Sequence, residues 1–194
     1  MDEIAAEVPG FRVVAKANAR SQRVIHWLLA AVTFGQSRSY LEGFTTTIGR
    51  TVYVTSDWEA TSRDERYLTL LHERIHLRQF RRFSLIGMAF LYLFVPLPLG
   101  LAYFRARFEK EAYAETIRGT AALAGADRVR EASFRADIIE QFTGPAYGWM
   151  WPFRASLERW YDRVLAELGQ GGGPVGRVIA SPPGELTGSK PSIT

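Results

Sequence analysis

An α+β fold, predominantly helical with a small β-sheet, is what three features of this sequence predict. Long stretches after residue 60 carry apolar residues at helical spacing. Only one short region, around Gly49-Arg50, reads as paired strands. Between the two lies Thr61-Ser62-Arg63-Asp64-Glu65, where Ser62 and Glu65 have the spacing of a capping box, and Thr61 with Asp64 offers a second register.

Residues 1–20 read as a flexible N-terminus. Residues 24–32 are apolar and predict a short helix, ended near Gly35, with His26 beside Trp27 as a partly buried histidine. Residues 36–43 carry Gln, Ser, Arg and Gly and read as a loop. Phe44-Thr45-Thr46-Thr47-Ile48 and Thr51-Val52-Tyr53-Val54 are rich in β-branched and aromatic residues, and the Gly-Arg step between them predicts a hairpin. From the capping box a helix is expected through Phe83. It carries Leu68, Leu71, Ile75 and Gln79 on one face with His72 and His76, and Arg74, Arg78 and Arg81 on the other. Further helices are expected over 101–123, stopping before Gly125, over 128–142, and over 154–168 after the Gly- and Pro-containing loop at 143–152. From Gly169 on, 11 of 26 residues are Gly or Pro, so 169–194 reads as a disordered tail. A single domain over 21–168 is left, and 194 residues suit one domain with tails.

Composition removes whole classes of chemistry. The chain has no cysteine, which excludes disulfide scaffolds, thiolate zinc fingers, iron–sulfur clusters and thiol nucleophiles. Imidazole chemistry must use His26, His72 or His76. The net charge of +4 is mild, and no helix-turn-helix, RNA-recognition or zinc-knuckle pattern accompanies it, which argues against a nucleic-acid partner. The first residues, MDEIAAEVPG, are acidic and lack an apolar core, so no signal peptide is expected.

His72-Glu73-Arg74-Ile75-His76 is an HExxH motif inside the best-patterned helix. Residues i and i+4 are neighbours on a helix, so both imidazoles can reach one metal ion. Glu73, one position along, can hold and deprotonate a water on that metal. In a chain so poor in histidine the motif arises by chance with a probability on the order of 0.3%. A catalytic zinc usually takes three protein ligands and keeps one open position. No histidine follows His76, so the third ligand must be of another type. The candidates lie in Glu109-Lys110-Glu111-Ala112-Tyr113-Ala114-Glu115, on the next helix.

HExxH followed on a later helix by Glu resembles the gluzincin branch of the zincin metallopeptidases, over about residues 50–120. Two registers fit. Glu109 to Tyr113 resembles the ExEAD-type segment of membrane-bound zincins such as the CAAX prenyl protease, with Glu109 as ligand and Tyr113 where that family has Asp. Glu111 to Glu115 resembles the ExxAE segment of lethal-factor-like zincins, with Glu111 as ligand and Glu115 behind it. The resemblance implies a zincin-like domain, a Zn2+ cofactor held by His72, His76 and Glu109 or Glu111, and Glu73 as the catalytic base. It also implies a sheet edge beside the HExxH helix, for which Thr51–Val54 is the candidate. Tyr113 and Tyr147 are candidates to stabilise the oxyanion or touch substrate, and Trp149 and Trp151 to line a groove.

Residues 84–104 contain no charged side chain and are long enough for one membrane span. A single span would put His76 and Glu109 on opposite sides of the bilayer. Both flanks are basic, with Arg78, Arg81 and Arg82 before and Arg105, Arg107 and Lys110 after, and Pro96, Pro98 and Gly100 interrupt the middle. The stretch is therefore expected to form a helical hairpin, either dipping into the membrane from the cytoplasmic side or buried in protein. Tyr92, Tyr103, Trp149 and Trp151 would suit a headgroup interface. The expectation is a zinc metalloendopeptidase acting on a peptide or protein substrate at a membrane surface. The alternative is a zinc-binding, non-proteolytic, membrane-associated scaffold or adaptor.

Overall fold

The computed structural model describes residues 2–16, 45–93, 103–144 and 150–170. The expected helix over 24–32 with His26, the loop at 36–43, the residues Pro96, Pro98, Gly100, Tyr147 and Trp149, and the tail beyond 170 lie outside the described residues, as does the side chain of Tyr92. In chain order the elements are α1 (Asp2–Glu7), β1 (Arg12–Ala15), β2 (Thr46–Ile48), β3 (Thr51–Val54), α2 (Arg63–Leu93), α3 (Tyr103–Ala124), a 3-10 turn (Arg128–Arg130), α4 (Ala132–Thr143) and α5 (Arg154–Gly169). The chain is mostly helical with one three-stranded sheet, as expected of an α+β protein.

The hairpin forms as its sequence predicts. Thr46 pairs with Tyr53 and Ile48 with Thr51, which leaves Gly49 and Arg50 as the two-residue turn. Gly49 supplies the positive φ (62°) that such a tight turn needs. The sheet order is β1-β3-β2, with β1 parallel to β3 and β2 antiparallel to it. This corrects the expectation of Thr51–Val54 as a sheet edge. β3 is the central strand, covered on both sides, and the edge strand beside the HExxH helix is β2.

The N-terminus also departs from expectation. Residues 2–15 are not loose but form α1 and β1, and they enter a core with Val52, Val54 and Leu77. Ile4 and Val8, four residues apart, bury their side chains there. Glu7 is then gripped by α2. Arg74 donates to its carboxylate at 2.7 Å, Arg78 donates to both of its oxygens, and Arg81 donates to its main-chain carbonyl at 2.6 Å. The arginine face of α2 is thus an anchoring surface.

Those arginines hold the Glu7 carboxyl at about 2, with Arg78 the main cause and partial burial working against it. A depressed carboxyl contributes stability above its unfolded value near 4.5 and loses it as pH falls toward 2. Glu7→Gln is therefore expected to lower the melting temperature at pH 6. The gap from wild type should shrink steadily between pH 4.5 and 2, as thermal melts across that range will read.

The capping box starts α2. Glu65 N–H donates to Ser62 Oγ at 3.2 Å, and Ser62 N–H donates back to Glu65 Oε2 at 3.2 Å. Regular helix runs through Phe83, and Ser84 then breaks it with φ 59° and ψ 170°. The Ser84 hydroxyl accepts from Gly87 N–H, restarting the helix over 85–93. The kink falls on the first residue of the uncharged stretch. No helix among the described residues is long and apolar enough to cross a membrane.

α2 and α3 run antiparallel, since Gly119 packs on Leu68 and Leu71, Thr116 meets His72, and Phe108 meets Phe83. A Cβ on Gly119 would come within 2.6 Å of Leu71 and 2.9 Å of Leu68, so its absence sets how closely the helices approach. On its other side α3 builds the main core with the 3-10 turn, α4 and α5, centred on Ile117, Ile139, Phe142, Leu157 and Tyr161. The helix expected over 128–142 is split at Glu131 (φ −58°, ψ 135°). The split lets Val129 drop into that core while its carbonyl accepts the Tyr161 hydroxyl at 2.7 Å.

Candidate metal centre

α2 lies between the sheet and α3, and the HExxH residues occupy the middle of that sandwich. His72 and His76 are one helical turn apart, and their Nε2 atoms face each other at 3.2 Å. Glu109, on α3, points its Oε2 at both, 3.4 Å from His72 Nε2 and 3.7 Å from His76 Nε2. These are ion-pair separations, and Oε2 is buried with no hydrogen-bond partner among the described residues. The three side chains are only 14%, 10% and 9% exposed, so bulk water does not solvate the cluster.

The imidazole protons can be assigned from their partners. His76 Nδ1–H donates to Gln79 Oε1 at 2.9 Å, and the Gln79 amide donates to Phe108 O and Glu111 Oε2. His72 Nδ1–H donates to Thr116 Oγ1 at 3.3 Å, and the Thr116 hydroxyl donates to Ala112 O. With both Nδ1 atoms acting as donors, both Nε2 atoms turn lone pairs into the same space as an orphaned carboxylate oxygen. Three lone-pair donors converging in a poorly solvated site could hold a cation. Ligands about 2.0–2.1 Å from a tetrahedral zinc lie roughly 3.3 Å from one another. The observed 3.2, 3.4 and 3.7 Å fit that spacing. Among the described residues these three are the set whose donor atoms converge closely enough to hold a metal.

The cluster also favours a proton on His76. Burial disfavours a charge on His76, but the Glu109 carboxylate outweighs it and raises His76 to about 9. Glu109 is itself buried, yet the charge it shares with His76 holds it well below the usual carboxylate range.

Comparison of the chain with protein-family models, with curated proteins and with solved structures found no match.

Glu73 is buried on the sheet side of α2, where its Oε2 accepts from Thr47 Oγ1 at 2.6 Å. Glu73 and His72 share one wall of a cavity of about 410 Å3, with Trp58, Leu68 and Thr69 around them. Tyr113 lines the same cavity and sets its ring edge-on to His72, 4.7 Å between centroids. Glu111 does not join the imidazoles. It faces Gln79 and lies 3.9 Å from Arg107. Glu115 sits 3.4 Å from Arg118.

The roles of four residues escape a reading of the sequence. Thr47 orients Glu73, Thr116 orients His72, and Gln79 orients His76. Lys16 is half-buried, which lowers its pKa, while the Glu73 carboxylate favours its charged form. Gln79 had a visible signal, since it follows His76 by three residues on the same face. Thr47 and Lys16 had none, because strand pairing alone brings them near α2. Partners behind a metal ligand are commonly worth 10–100-fold in affinity. For a zinc ion held by these imidazoles, Gln79→Ala is accordingly expected to weaken binding roughly 10–100-fold with the fold unchanged, read by chelator competition alongside circular dichroism.

Proposed function

We propose that this protein is a zinc-dependent metallopeptidase of gluzincin type, in which His72, His76 and Glu109 hold Zn2+ and Glu73 is the general base. The supporting observation is the orphaned Glu109 oxygen aimed at two facing Nε2 atoms at tetrahedral-edge distances. Two imidazoles and one carboxylate form a donor set that suits zinc. When bound, zinc supplies a Lewis acid that polarises a carbonyl and acidifies water toward pH ~7.

The chain's own residues divide the remaining work. Glu73, held by Thr47, takes a proton from the attacking water and returns it to the leaving amine. The cavity beside Glu73 and His72 receives the peptide, with Tyr113 in its wall as the candidate donor to the oxyanion. The test is elemental analysis of wild type and of His72→Ala, His76→Ala, Glu109→Ala and Glu111→Ala. One zinc per chain is expected, lost in both histidine variants and in Glu109→Ala but retained in Glu111→Ala. Zinc that ignores His72 and His76 would end the enzyme reading.

A second reading, a zinc-holding scaffold without proteolysis, is favoured by the low exposure of the three ligands, since closed sites are the habit of structural zinc. Turnover of a diverse peptide library separates the two. The membrane surface, approached from the cytoplasmic side, is the proposed location. It is supported by the uncharged run at 84–104, by the basic residues on both of its flanks and by the antiparallel helices that carry its ends.

A further inference from the structure

On the face of the α2–α3 pair away from the sheet lies a larger cavity, about 870 Å3, walled by α2, α3 and α5. Its charge is unbalanced. Of its acidic residues, Glu115 and Glu167 pair with Arg118, and Glu111 is engaged by Gln79 and Arg107. Arg82, Lys110 and Arg163 also line it, one from each helix, and no carboxylate of the described residues lies within ion-pair distance of any of them. Lys110 is half-buried, and both burial and the nearby Arg163 lower its pKa. Arg82 and Arg163 are exposed, Lys110 lies 5.1 Å over the Trp151 ring and Arg82 5.3 Å over the Phe83 ring, so three positive charges stand around one concavity, and an anion there would relieve their mutual repulsion.

The rim indicates which anion. Phe83, Tyr103 and Phe104, at the two ends of the uncharged run, form part of the wall. Tyr103 touches Trp151, and Trp151 touches Phe153, a row of rings in which Tyr103 and Phe153 are half exposed. Ile86, in the first turn after the kink, is 82% exposed. Cations set behind exposed aromatic rings, next to a long uncharged segment, are the pattern of a surface facing lipid headgroups. The exposed Ile86 and Phe153 favour a lipid surface over a purely charged ligand.

We propose that this groove seats the phosphate of an anionic phospholipid headgroup, held by Arg82, Lys110 and Arg163, with Tyr103, Trp151 and Phe153 at the bilayer interface. The proposal rests on the membrane-surface reading and is independent of the metal site.

The test is co-sedimentation of the full chain with vesicles of phosphatidylcholine alone or mixed with phosphatidylglycerol. Stronger binding to the acidic vesicles is expected. Each neutralised groove cation should cost about fivefold in partition, so Arg82→Gln/Lys110→Gln/Arg163→Gln should lose roughly 100-fold. The equally charged control Arg12→Gln/Arg63→Gln/Arg130→Gln should lose far less, with both proteins checked for folding by circular dichroism. Equal losses in the two triple variants would show a diffuse field and overturn the groove. Equal binding to neutral vesicles would overturn the groove and leave the membrane reading standing, whereas binding to neither vesicle would end both. Excess inorganic phosphate at constant ionic strength should leave partition unchanged. Its collapse would mean a site for free phosphate and would also overturn the proposal.

Discussion

Glu73→Gln is expected to keep one zinc per chain and to lose peptide hydrolysis by about 10^2–10^4-fold. The substitution keeps the shape of the side chain, and the amide oxygen can still accept from Thr47 Oγ1. What disappears is a carboxylate able to accept a proton. An effect on turnover with metal content untouched belongs to a base, whereas loss of zinc would mark Glu73 as a ligand. Activity that survives with zinc in place would refute the assigned role. Because Glu73 is buried against the sheet, melting temperatures of both proteins must accompany the assay, so that a folding defect is not mistaken for lost chemistry.

The second large effect is set by the proton on His76. In the metal-free chain Glu109 raises His76 to about 9 from an ordinary value near 6.5. A raised pKa contributes stability that is fully present below 6.5 and is lost as pH rises through 9. The chelator-treated protein should therefore lose stability between pH 6.5 and 9, and Glu109→Gln should flatten that slope. Zinc uptake must expel the same proton, so affinity should climb across the interval and the uptake should release protons below pH 9. Calorimetric titration in two buffers of different ionisation enthalpy reads the release directly. A heat that does not depend on the buffer would mean that zinc binds elsewhere.

Local signals carried much of the fold. The Ser62–Glu65 box, the Gly49-Arg50 turn and the helix boundaries near 103, 124, 154 and 169 all rest on contacts within a few residues. The N-terminus was illegible because its order comes from distant partners. β1 pairs with β3 across some 40 positions, and Glu7 meets arginines near position 75. β1 also displaced β3 from the expected edge.

At the site, the pairing of His72 with His76 was legible because they lie one helical turn apart. Whether Glu109 or Glu111 belonged with it depended on the rotational phase of α3, and apolar residues nearly all round that helix hide the phase. Glu109, Tyr113 and Thr116 stand at i, i+4 and i+7 and form the stripe that meets the imidazoles. That stripe is visible in the letters once the facing residues are known.

The antiparallel pair has a mechanical reading. The imidazoles sit on one leg and the carboxylate on the other, and the uncharged segment joins the legs at one end. Phe83 follows His76 by seven positions, about 10 Å of helix at ~1.5 Å per residue. The Ser84 kink lies at the end of that arm. The assembly is a pair of tongs with its jaws partway down. The joined end lies about two helical turns from the gap between His76 and Glu109, so the spacing of the jaws is set close to where the legs connect.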